Sequence, residues 1–104
     1  MIEAGMPVAL TGVELTEIIQ GLTRDVSPIE SYLAEVEMLE PQGFSTYRKA
    51  AAIFRTARSK GISLATVDVL IAAVALEHRA TVFTLDKDFS YIAQITNLSL
   101  HKVP

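Results

Sequence analysis

Two short segments bring together residues able to do chemistry. Thr84-Leu85-Asp86-Lys87-Asp88-Phe89 puts two carboxylates just past a predicted strand, Thr81 to Leu85. Thr66-Val67-Asp68-Val69-Leu70-Ile71-Ala72-Ala73 puts a third in the first turn of an otherwise apolar helix. Carboxylates at the C-terminal edge of a parallel sheet are where open α/β folds build sites. Several of them converging without matching cations suit a hard divalent ion. Each acid also has a plain structural explanation. Asp88 fits the cap of a helix beginning at Phe89, and Asp86 a solvated turn. A carboxylate at Asp68 gains about 0.3 to 1 kcal/mol from the helix dipole. The neighbours of Asp68 tip the balance, because Val67, Val69, Leu70 and Ile71 predict a helix sunk into the protein, and a buried carboxylate needs a partner. As Asp88 can do the capping, Asp86 is the better ligand candidate.

A fourth acid lies earlier. Glu14 and Glu17 are spaced i, i+3 and share a helix face. Glu17 is the more interesting, because Ile18 and Ile19 follow it and should turn its neighbourhood toward a sheet. His78 and His101 sit in no ligand motif, and His78 reads as a polar cap at a helix C-terminus. Glycine-rich phosphate loops, Ser-His-Asp spacing and nucleophile elbows are absent from the sequence.

Alternating elements must position these acids. Val8 to Leu10 reads as a strand, and Thr11 can cap a helix that ends at Gly21. Ser27-Pro28-Ile29-Glu30 reads as a second helix start with Ser27 at the cap and Glu30 at the capping-box position, carrying Ile29, Tyr32, Leu33 and Val36 inward. A brief strand at Met38 to Glu40 precedes a turn. Ser45 can cap the next helix, whose apolar stripe is Tyr47, Ala50, Ile53, Phe54 and Ala57, with Arg48, Lys49, Arg55, Arg58 and Lys60 off it, and Gly61 as its stop. That basic face is either a solvated side or a surface that steers a phosphate backbone. A buried helix to His78, the strand Thr81 to Leu85, a short helix Phe89 to Ile95 and a strand Ser99 to Val103 complete the chain. The order predicts a three-layer α/β/α sandwich with a mainly parallel sheet.

A length of 104 residues predicts a single domain, residues 1–104. Half the residues are hydrophobic and the mean hydropathy is +0.34, as expected of a chain with a packed core. No apolar run approaches the roughly 20 residues that span a bilayer, and no signal peptide is evident, so the expected location is the cytoplasm. With no cysteine, disulfides, thiolate nucleophiles and cysteine zinc sites are excluded. The net charge of −3 argues against binding nucleic acid by bulk positive charge, though not against an acidic site neutralised by metal.

Together these segments resemble the PIN domain, specifically the VapC-like ribonuclease toxins. Gly12-Val13-Glu14-Leu15-Thr16-Glu17-Ile18-Ile19-Gln20-Gly21 is similar to the segment around that family's second acid, with Glu17 in its place. Ala65 to Ala73 resembles the third-acid helix, with Asp68 in register. Thr84 to Phe89 resembles the closing acidic motif, with Asp86 as the fourth acid and Asp88 before the characteristic Phe. The resemblance implies an endoribonuclease in which Glu17, Asp68 and Asp86 are catalytic and, with Asp88, hold Mg2+ or Mn2+. It implies an RNA substrate, a cognate antitoxin that covers the site, and a homodimer. The family's leading central strand and its first acid have no counterpart here, since the chain begins at Met1-Ile2-Glu3-Ala4-Gly5. A PIN-like module that binds RNA or a protein without cleaving is therefore the second reading, and an unrelated α/β domain whose acids are caps and turns is the third.

Overall fold

The computed structural model describes residues 9–84 and 87–102. Strand β1 (Ala9–Thr11) runs directly into helix α1 (Gly12–Gln20), because Thr11 both ends the strand and caps the helix. Its Oγ1 accepts the Glu14 N–H at 3.1 Å, and the Glu14 carboxylate accepts the Thr11 N–H at 3.0 Å. This reciprocal capping box satisfies two donors that a helix start otherwise leaves orphaned. Gly21 closes α1 with ordinary right-handed backbone (φ −85°), so the stop does not use glycine's freedom.

Helix α2 (Val26–Leu33) departs from the expected start. Asp25, not Ser27, is the N-cap, in left-handed backbone at φ 55° and without a side-chain cap. Leu33 is buried as expected, but Tyr32 points outward and is 67% exposed. Strand β2 (Glu37–Leu39) follows and pairs in parallel with β1, Ala9 facing Glu37 and Thr11 facing Leu39.

Helix α3 (Phe44–Ser59) starts from Gly43 and not from a Ser45 cap. Its buried stripe is Thr46, Ala50, Ile53 and Ala57, with Tyr47 turned outward. Ala50, Ile53 and Ala57 of the expected stripe are buried and Phe54 is partly so, while Thr46 takes the inward place expected for Tyr47. Thr46 is fully buried, and its Oγ1 accepts the Gln42 N–H at 2.8 Å and donates to the Glu77 carboxylate.

Helix α4 (Thr66–Glu77) is the buried centre, with Val69 and every residue from Ile71 to Ala75 buried. It packs on α3, and Ala57 of α3 and Ala72 and Ala73 of α4 are fully buried in the shared core. Small side chains let helix axes approach closely. The two helices also stop alike. After α3 the Ile62 N–H reaches back to the Ala57 carbonyl and Gly61 takes φ 81°. After α4 the Ala80 N–H reaches the Ala75 carbonyl at 2.8 Å, and Arg79 stands in the glycine position at φ 54°. This is the Schellman pattern in both cases, the second with a side chain where glycine is usual. His78 is the C-cap of α4, as read from the sequence, and its Nε2 also bonds to the Glu40 carbonyl at 2.7 Å, tying the end of α4 to the chain after β2.

Strand β3 (Thr81–Thr84), helix α5 (Lys87–Ile95) and strand β4 (Ser99–Lys102) complete the order. β3 and β4 pair in parallel, Thr81 facing Ser99 and Thr84 facing Lys102. Helices alternate with parallel strands, as the sequence predicts. Among the described residues the strands form two separate pairs, β1–β2 and β3–β4, and not one continuous sheet. Both pairs rest on α4, through β1 and β3. Among the described residues no segment supplies a strand to join β1 to β3.

Candidate functional site

Three of the four sequence-selected acids lie on three different helices. Glu17 is in the second turn of α1, Asp68 in the first turn of α4, and Asp88 in the first turn of α5. Asp86 lies outside the described residues. α4 is the common neighbour, since α1 and α5 both pack against it.

Their surroundings differ. Asp68 is half-buried, between exposed Val67 and buried Val69. The expectation of partial desolvation therefore holds, and a carboxylate there takes up the positive end of α4's dipole. Asp88 is half-buried as well. Because α5 begins at Lys87, Asp88 is the second residue of the helix and not its cap, two positions away from the expected place. Glu17 is exposed, and Ile18 beside it is 40% exposed, so this stretch of α1 faces solvent where a sheet-facing side was expected. Glu14 is taken by the capping box and is no ligand candidate.

An all-carboxylate donor set suits a hard, oxygen-seeking ion. Among the described residues, no group of three or more His, Asp or Glu side chains converges to hold one. Glu17, Asp68 and Asp88 thus supply no three-ligand centre by themselves, and Asp86 lies outside the described residues.

The acid with the clearest structural purpose was not singled out in the sequence. Glu77 ends α4, where the helix dipole disfavours a negative charge. It is placed over the first turn of α3, where the opposite pole favours it, and it accepts hydrogen bonds from Thr46 Oγ1 and Ser45 Oγ. A spacing of Thr46, Ala50, Ile53 and Ala57 as one stripe is the signal that would have placed Thr46 inside.

A model of the PIN domain matches residues 6–95, most of the chain. Ribonuclease VapC11 of Mycobacterium tuberculosis is 47% identical over 53 residues, which is 50% of this chain and 40% of that protein. The chain therefore spans well under two thirds of this relative's length. In the crystal structure of VapBC-5 from Mycobacterium tuberculosis, a member of the VapBC family of toxin–antitoxin systems, the matching chain is 26% identical, with a TM-score of 0.74 covering 92% of this chain and 82% of that one. The structure of VapBC-1 from nontypeable Haemophilus influenzae matches with a TM-score of 0.74 at 20% identity, over 98% of this chain and 78% of that one. With a matching domain model over residues 6–95, this chain belongs to the PIN domain family.

Proposed function

We propose that this protein is a VapC-type endoribonuclease that hydrolyses RNA phosphodiesters as the toxin half of a toxin–antitoxin pair. The observation that carries the reading is Asp68. A helix buried along most of its length opens on a half-buried carboxylate, in a chain 47% identical over 53 residues to a VapC ribonuclease.

Asp68, Asp86, Asp88 and Glu17 are the proposed holders of Mg2+ or Mn2+. A divalent ion bound there lowers the pKa of a water and stabilises charge developing on a phosphodiester. The chain's own contribution is to fix the acids on α1, α4 and α5, elements locked to one core, so that little reorganisation accompanies reaction. The proposed partners are RNA, an antitoxin protein and a second copy of the chain, and the proposed location is the cytoplasm. The VapBC assemblies among the solved structures support the antitoxin partner. No helix among the described residues is long and apolar enough to cross a membrane.

The test is cleavage of single-stranded RNA with Mn2+, wild type against Asp68→Asn. Loss of a metal-site carboxylate should lower the rate about 100-fold or more, given that even supporting residues around metal sites cost roughly 10- to 100-fold. Equal rates would refute the reading. RNA bound but left intact by the wild type would favour a non-cleaving PIN-like module instead.

A further inference from the structure

We propose that a basic furrow across α3 and the end of α4 binds the phosphate backbone of single-stranded RNA, away from the carboxylates. The proposal rests on the reading above that RNA is the substrate, and it adds a second contact surface for it.

The first observation is charge segregation. Residues 44–60 hold five of the chain's nine Lys and Arg and none of its twelve Asp and Glu. The rest of the chain therefore carries four cations against twelve acids, and the balance of −3 hides a strongly positive helix in an acidic protein.

The second observation is where those cations lie. One depression is bordered by Arg48, Lys49 and Arg55 of α3. A second is bordered by Lys49, Arg79 and Asn97. Lys49 borders both, so the two depressions adjoin at that side chain, one reaching along α3 and the other to the residue after α4. All four cations are exposed. Arg48 and Arg55 are seven residues apart, two turns on one face, or about 10 Å along the axis. The acid in the furrow is Glu77, which already accepts bonds from Thr46 and Ser45.

The third observation is Arg79 itself. It occupies the left-handed position of a Schellman stop, where glycine is favoured and where α3 has Gly61. A side chain kept in unfavourable backbone is a pointer to use. Here it puts a cation at the far end of the furrow.

Complementarity selects the occupant. A polyanion needs a row of cations with polar donors beside them, and the furrow has Ser45, Asn97 and Ser99. A docking peptide needs apolar pockets for anchors. The larger apolar side chains Tyr47, Phe54 and Leu70 border a neighbouring groove that shares Arg55 with the furrow, and none of the three borders the furrow itself. Phosphate contacts give affinity without sequence readout, so the furrow would hold RNA and leave the choice of cleavage position to the carboxylate side.

The experiment uses the full chain and a fluorescein-labelled single-stranded RNA of twelve nucleotides, titrated by anisotropy in EDTA so that nothing is cleaved. The furrow variant is Lys49→Gln with Arg79→Gly. The charge-matched control is Arg24→Gln with Lys60→Gln, neither of which borders the furrow. The furrow variant should bind about tenfold more weakly, and its plot of log affinity against log salt should flatten by about 1.4, at roughly 0.7 for each lost contact to a single strand. The control should change by less than about twofold. Equal effects of the two pairs, or none from either, would overturn the proposal. So would a glutamate dodecapeptide that competes as well as the RNA, since that assigns the furrow to an acidic protein. Because binding is read without metal or cleavage, failure here leaves the Asp68→Asn result standing, and the reverse holds too.

Discussion

Replacing Thr46 by Val is the most direct test of what joins α3 to α4. The side chains are close in shape, so the change removes one hydroxyl and little else. That hydroxyl accepts the Gln42 N–H at 2.8 Å and donates to the Glu77 carboxylate. A neutral hydrogen bond contributes about 1 kcal/mol net and one to a charged group about 1.5 to 3. Glu77 is half-buried and can regain water, which favours the lower figure for the charged bond. The added methyl, buried in place of oxygen, returns up to about 0.8 kcal/mol. The expected loss is therefore about 2 kcal/mol, or roughly 10 °C in Tm for a domain of this size. Urea unfolding followed by circular dichroism should show a lower midpoint at unchanged slope. Thr46→Ser should retain the bonds and lose only the methyl contribution. In a double-mutant cycle with Glu77→Gln, the two changes should cost less together than in sum. A Val variant within about 0.5 kcal/mol of wild type would show that the hydroxyl does not hold these helices together.

Two further changes should stabilise the protein. Arg79→Gly relieves left-handed backbone, worth about 1 to 2 kcal/mol. The greater freedom of unfolded glycine returns about 0.5 to 1 of that. A net gain of about 0.5 to 1 kcal/mol should raise the urea midpoint, and a lower midpoint would contradict the strain at φ 54°. Tyr91→Phe removes a buried hydroxyl that has no hydrogen-bond partner among the described residues. It should be neutral or stabilising by about 1 kcal/mol in the same assay, and a loss above 1 kcal/mol would show that the oxygen is satisfied in solution.

Element order and type were legible because period and punctuation agreed along most of the chain. Thr11 was legible as a helix cap, and the structure has it, with Glu14 completing a reciprocal capping box. The apolar run through Val69 to Ala75 announced a helix buried on several faces, and it is. The errors cluster where tertiary contacts outweigh local preference. Ser27 and Ser45 are good caps by propensity, yet Asp25 and Gly43 hold those positions with no side-chain bond. Thr46 reads as a surface residue until Glu77, 31 residues on, supplies its partner. The candidate acids were legible as types, but their directions were not. Glu17 looked inward from its isoleucine neighbours and faces solvent, because burial on α1 is partial along its whole length.

The buried alanines of α3 and α4 have a mechanical meaning. Alanine has no rotamers to freeze and no flexible tip to yield, so a core that holds Ala57, Ala72 and Ala73 leaves α4 little room to flex, and the helix acts as a stiff bar. Asp68 is fastened near one end of that bar and Arg79 just past the other, about 16 Å away along the axis. Folding sets this interval once, as a calliper is locked, and any chain that grips one jaw meets the other at a preset distance.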